Sequence, residues 1–115
     1  MINYDGRRFQ PAEAEARGRV ATYHQDRDLV WGEFTGGRVR RGSLTGTCGP
    51  DSTLEFAYSM VLEDGEVISG FCRSTPKMRP DGGVDLHETW ERFGRHAASG
   101  SSLLTEILHE TQEQR

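Results

Sequence analysis

The stretch GEFTGGRVRRGSLTG, residues 32–46, sets five glycines among residues that otherwise prefer an extended backbone. Gly36-Gly37 supplies the positive φ that a tight hairpin turn requires. The flanking Glu33-Phe34-Thr35 and Val39–Leu44 carry β-branched and aromatic side chains suited to strands. Gly32, Gly42 and Gly46, with Gly70 further on, then fall inside strands, where a missing side chain marks curvature or a close neighbour. A two-residue turn places Trp31 opposite Gly42, an aromatic ring covering a glycine. The stretch predicts a curved hairpin.

Working outward, turn signals recur at Asp26-Arg27, Gly49-Pro50-Asp51, Asp64-Gly65 and Asp81-Gly82. Between them lie segments rich in Val, Thr, Tyr, Phe and Trp with no helical period: 19–25, 28–35, 38–48, 53–63, 66–79 and 84–93. They predict an antiparallel up-and-down meander of at least these strands, with another near Asn3–Phe9. Pro76 and Pro80 predict fraying at the end of the 66–79 strand. Only the chain's end reads as helical. Ser99-Gly100-Ser101-Ser102 offers N-caps, and Leu103, Leu104, Ile107 and Leu108 form one apolar stripe, so a short α-helix is expected over about 102–110. One helix cannot cover so long a sheet, so the meander is expected to close on itself. The expected fold is all-β, a small antiparallel barrel with one short C-terminal α-helix; an open curved sheet with the helix in its trough is the alternative.

The chain has 115 residues, which suits a single domain over 1–115. Only 34% of it is hydrophobic, yet it carries two Trp, three Tyr and five Phe spread along its length. That combination predicts a small fold whose interior is partly polar or encloses something. The net charge of −4 argues against nucleic acid as a partner. The one basic run, Arg38 to Arg41, reads as a solvated strand end. There is no apolar run long enough to span a membrane and no signal-peptide pattern, so a cytoplasmic protein with no membrane partner is expected. Cys48 and Cys72 are far apart and expected to be reduced.

Two-residue turns fix register, so facing pairs can be written down. Around Asp64-Gly65, Phe56 faces Arg73 and Tyr58 faces Phe71. Around Asp81-Gly82, Arg73 faces Trp90 and Phe71 faces Arg92. The expected inner face therefore collects Leu54, Phe56, Tyr58, Met60, Phe71, Arg73, Glu88, Trp90 and Arg92. Upstream, the same rule gathers Val20, Thr22, His24, Leu29, Trp31, Glu33, Arg40 and Leu44 on one face, with Tyr23, Val30, Phe34 and Val39 competing for the interior. A bulge or a three-residue turn would exchange the two sets.

On this register an inward Arg73 must meet an internal carboxylate, an aromatic ring or a ligand anion, because burying it unpaired is costly. Two readings stay open: a structural pair with Glu88 stacked on Trp90, or an anion anchor in a cavity walled by Phe56, Phe71, Met60, Trp90, Trp31 and Arg92. His24 with Glu33 could form an acid–base pair or simply lie in solvent. Tyr58 could donate to a bound carbonyl or be an ordinary core residue.

Other signals fail. HETWE, residues 87–91, opens like a zinc-protease motif but ends in Glu91, and on a strand His87 and Glu88 point to opposite faces. No metal site and no cofactor are expected, since neither cysteine spacing nor a glycine-rich phosphate loop supports one.

The runs YHQDRDLVWGEFTGGRVRRGSLTGT and FCRSTPKMRPDGGVDLHETWERFG resemble a family of short bacterial proteins labelled N-acetylglutamate synthase, over roughly residues 2–108. The chain has no pyrophosphate loop leading into a helix, so the resemblance carries no acetyl-CoA residue onto it. The strand-and-turn plan is also similar to the calycin, or lipocalin-like, barrels, which implies a small apolar or amphipathic ligand inside. Three functions follow as expectations. The first is binding of a small amphipathic or anionic molecule around Arg73. The second is a cofactor-free isomerase, cyclase or dehydratase in the same pocket, with Glu88 or His24 moving a proton and Tyr58 assisting. The third is an interaction module with a filled core, for which a homodimer in solution would be the mark.

Overall fold

The computed structural model describes residues 1–13 and 18–108. Eight strands follow in chain order: β1 (Arg8–Pro11), β2 (Val20–Asp26), β3 (Leu29–Gly36), β4 (Val39–Cys48), β5 (Leu54–Leu62), β6 (Val67–Met78), β7 (Val84–Arg92) and β8 (Ala98–Glu106). Each pairs antiparallel with its sequence neighbours, and β8 pairs back onto β1 to close the barrel. Closure gives every strand a neighbour on both sides, the physical gain expected of a long one-faced meander, although the four-residue β1 spans only part of the seam. Along β6 buried and exposed residues alternate strictly from Val67 to Thr75, the period-2 mark of a wall with water on one side. β6 also runs through Pro76 to Met78 without fraying, since β7 registers on it up to Met78↔Val84.

The C-terminal helix is corrected. Residues 98–106 form β8, and among the described residues helical structure is confined to a 3-10 turn over Gly94–His96. The rest of the expected helix, 109–110, lies outside the described residues. Leu104 and Glu106 turn inward and are buried while their neighbours face outward, so the apolar stripe was a strand's inner row interrupted by Leu103. A short helix is marginal on its own, whereas this segment gains hydrogen-bonded partners on both sides, Leu86↔Leu104 and Pro11↔Leu104. One end of the barrel is closed instead by the N-terminal residues. Tyr4 is 0% exposed and donates its hydroxyl to the Ser52 carbonyl at 2.7 Å, while the Ile2 amide donates to Ser52 Oγ at 2.6 Å. Tyr4 packs with Phe9 and Tyr23 in the main core, alongside Leu54, Val84 and Leu86.

Register departs from the two-residue expectation at both Asp-Gly turns. The Gly65 amide donates to the Leu62 carbonyl (2.9 Å), and the Leu62 amide donates to Glu66 (2.9 Å). Arg79, Gly82 and Gly83 repeat the arrangement. Gly65 and Gly82 sit at φ 90 and 88. These are three-residue loops, a type I turn followed by a left-handed glycine. Each aspartate accepts the amide two residues on, Glu66 (3.0 Å) and Gly83 (2.9 Å), which fixes the turn. The extra residue slips register by one and turns all of β6 over: Phe56 faces Cys72, and Cys72 faces Trp90. Two successive slips cancel, so β7 keeps the expected face inward.

Upstream, the competing set takes the interior. Ala21, Tyr23, Val30 and Val39 are buried with Leu44, while His24, Leu29, Trp31, Glu33 and Arg40 lie on the outer side. The register is Tyr23↔Gly32 and Phe34↔Gly42, and Trp31 faces Thr45 rather than Gly42. A bulge opposite Leu62 leaves Arg40 and Arg41 both exposed, so Val39 and Leu44 point inward despite their odd spacing.

Candidate functional site

The barrel holds a cavity of about 360 Å³, with Tyr4 outside its lining. Its wall repeats one device. Every inward aromatic residue on a described strand is registered against glycine or alanine: Phe9↔Ala21, Tyr23↔Gly32, Phe34↔Gly42, Phe56↔Gly46, Tyr58↔Gly70 and Trp90↔Gly100. At Gly42, Gly70 and Gly100 a side chain would run into the paired ring. At Gly100 a Cβ would stand 2.7 Å from Trp90 Cζ2, and at Gly42 it would overlap the Phe34 ring. Gly70 is also closed to substitution by the Glu91 backbone carbonyl. The aromatic cover anticipated for Gly42 exists, supplied by Phe34 in place of Trp31.

Polar groups enter this aromatic sleeve from β7 and its surroundings. Glu88, Trp90 and Arg92 alternate inward along the strand. Glu88 Oε2 accepts from Ser74 Oγ at 2.9 Å, and Ser74 is itself fully buried. Desolvation pushes the Glu88 carboxyl above its ordinary value, against the opposing pull of Ser74, Cys72, Arg19 and Ser102. The thiol of Cys72, 3.7 Å from Ser74 Oγ, is pushed well above its ordinary range by burial, and then by the Glu88 charge. That makes it a poor nucleophile. Desolvation also lowers Arg19, with Glu88 opposing and Arg92 adding to the shift.

Arg92 is the anomaly. Its guanidinium carbon sits 5.3 Å from the Trp90 ring centroid, a cation–π contact. Its Nε is buried with no hydrogen-bond partner among the described residues. Buried donors are nearly always satisfied, and this N–H is the exception among the described residues. Tyr58 stands beside it. Burial raises the Tyr58 hydroxyl, and the Arg92 charge pulls it back.

The structure thus gathers Glu88, Tyr58, Trp90, Phe56, Met60 and Arg92 around one cavity. It places the other candidates outside. Arg73 is paired with Glu55 on the outer wall, its side chain 53% exposed. Phe71 is 41% exposed and Trp31 38%. His24 does meet Glu33, at 2.7 Å, but on the outer surface and stacked on Trp31. Arg73 and Phe71 failed through the single slip at Asp64-Gly65; His24 and Trp31 failed because Tyr23 and Val30 took the interior. The cavity also holds residues that sequence reasoning missed, notably Arg19, Cys72 and Ser102. For Cys72 and Ser74 a signal existed: with Gly70 they form an alternating small row opposite Phe56 and Tyr58.

A family model described as Avidin-like protein matches residues 2–107. It lends no support to the N-acetylglutamate synthase label. No curated protein and no solved structure matches the chain.

Proposed function

The chain belongs to the avidin-like family, and on that premise we propose that it is a binder of small amphipathic anions, held inside the barrel with Arg92 as the polar anchor. The observation that carries this is the Arg92 guanidinium in the cavity wall, lying on Trp90 with an Nε that has no partner among the described residues. A carboxylate, sulfonate or similar oxyanion would satisfy that donor, with a charge-assisted bond stronger than a neutral one. Arg19, also in the lining, adds positive charge, while Phe34, Phe56, Tyr58 and Trp90 would receive the apolar body. The cavity lies at the small end of ligand pockets, which run to about 300–1,000 Å³. It therefore suits a metabolite-sized molecule. The open cavity is at odds with an interaction module built on a filled core.

The test uses tryptophan emission. The chain has two tryptophans, so Trp31→Phe leaves Trp90 as the sole reporter in the cavity. Titration with a panel of amphipathic carboxylates and sulfonates, with biotin included because of the family, is expected to change Trp90 emission saturably. Arg92→Ala is expected to abolish or strongly weaken the response. A panel without any saturable response would overturn the reading.

A second reading has one observation behind it. Glu88 lines the cavity with its carboxyl raised by desolvation, the kind of perturbed group that marks a proton-transfer site. It would leave Glu88 and Tyr58 as the acting groups and exclude His24, which faces the other side of the wall. Turnover lost in Glu88→Gln with binding retained would favour this reading over simple binding.

A further inference from the structure

The repeated pairing of inward rings with glycine constrains what the cavity can hold. A ring covering a glycine lies down along the wall, because the space where a Cβ would project is filled by the ring itself. At Gly42 and Gly100 the atoms nearest to such a Cβ all belong to one aromatic ring, Phe34 in the first case and Trp90 in the second. Both rings also line the cavity, so each turns the side away from its glycine to the lumen. Ring faces favour offset stacking with another flat π-system at short range. A flexible acyl chain gains less from them and loses rotamer freedom on being confined. The Arg92 guanidinium lies against the same Trp90 ring, so the anionic group and the flat body would meet adjacent features of one wall.

We infer that the cavity selects a flat, ring-bearing anion over an open-chain anion of equal charge, and that Gly42 and Gly100 are the residues that set this selectivity. The inference rests on the small-anion reading above and narrows its ligand class. Gly70 is left out of the assignment because a Cβ there strikes the Glu91 carbonyl, so its need is that of the backbone.

The experiment compares 2-naphthoate with decanoate, two monocarboxylates of similar carbon content, by calorimetry on the full chain. Wild type is expected to bind 2-naphthoate at least about tenfold more tightly. Gly42→Ala and Gly100→Ala should each push a ring into the lumen, weakening 2-naphthoate by about fivefold or more while leaving decanoate within about twofold. Adding Trp90→Phe to Gly100→Ala relieves the clash and should recover part of the lost 2-naphthoate affinity. Thermal unfolding of each variant reports whether it is folded; the wild-type comparison decides the selectivity even if a glycine variant is not. Equal affinity for the two probes in wild type would overturn this inference and leave the small-anion reading standing. Equal loss of both probes in the folded glycine variants would overturn the role of the glycines. If neither probe bound, while other anions from the panel did, the ring-bearing class would be wrong; if nothing anionic bound at all, both readings would fall.

Discussion

The outer wall around Arg73 and the inner wall around Arg92 are built from the same residue types, and they behave as opposites. Outside, Arg73 pairs with Glu55, His24 pairs with Glu33, and Trp31 stacks on His24 at 5.6 Å, all in contact with water. Inside, Arg92 lies on Trp90 with its Nε unpaired among the described residues, and Glu88 is desolvated enough to raise its carboxyl. Water screens the first set, so its ion pairs contribute little. The second set is screened far less, so an unmet donor or an unneutralised charge there is costly until a ligand satisfies it. Residue type is thus a weak guide to a site; the side of the sheet decides.

The sharpest way to break this contrast is to truncate one apolar residue on each side. Leu54→Ala, fully buried in the core, is expected to cost about 2–5 kcal/mol in chemical denaturation. Leu29→Ala, exposed on the outer wall, should stay within about 0.5 kcal/mol. Comparable losses at the two positions would mean that inside and outside have been misassigned. Next in size is the arginine pair. Arg92→Ala should weaken an anionic ligand by about 1.5–3 kcal/mol, the range of a hydrogen bond to a charged group, read by calorimetry. Arg73→Ala should leave the same isotherm unchanged.

Acidity sharpens the comparison further. Because Glu88 is raised in the folded chain, the unfolded chain releases that proton first as pH rises. Stability from this group is therefore present below the ordinary glutamate value of 4.5 and is lost between there and the raised value. Glu88→Gln, which cannot ionise, is expected to show a higher Tm than wild type at pH 7, with the gap closing as pH falls toward 4.5 in a thermal-melt series. A gap of constant size would show that Glu88 is not desolvated as described. The smallest effect belongs to the surface. His24→Ala should cost no more than about 0.2–1 kcal/mol, with ligand affinity untouched.

Much of the barrel was legible because turn chemistry and β-branched runs are local. Six strands fell close to their expected spans, and the glycines of the 32–46 stretch did mark a strongly curved wall with rings against it. The site was half legible for a more delicate reason. Asp-Gly supports both a two-residue and a three-residue loop, and the choice lies in one extra residue at Leu62–Glu66 and Arg79–Gly83. That residue reversed β6, taking Arg73 and Phe71 out of the interior and putting Cys72 and Ser74 in. A second slip restored β7, which is why Glu88, Trp90 and Arg92 were placed inward from sequence. β8 was misread because strand pairing on both sides is a long-range fact, invisible in a segment whose local pattern also suits a helix.

Sequence alone determined an all-β antiparallel meander: alternating apolar residues and turn glycines specify strands and hairpins, with closure expected as the way to cover the apolar face. Tertiary structure decided which arginine faces the cavity and what fills the place of each absent side chain. The reason is that strand register has a period of two residues. A one-residue change in a turn alters little locally but exchanges the two faces of the following strand.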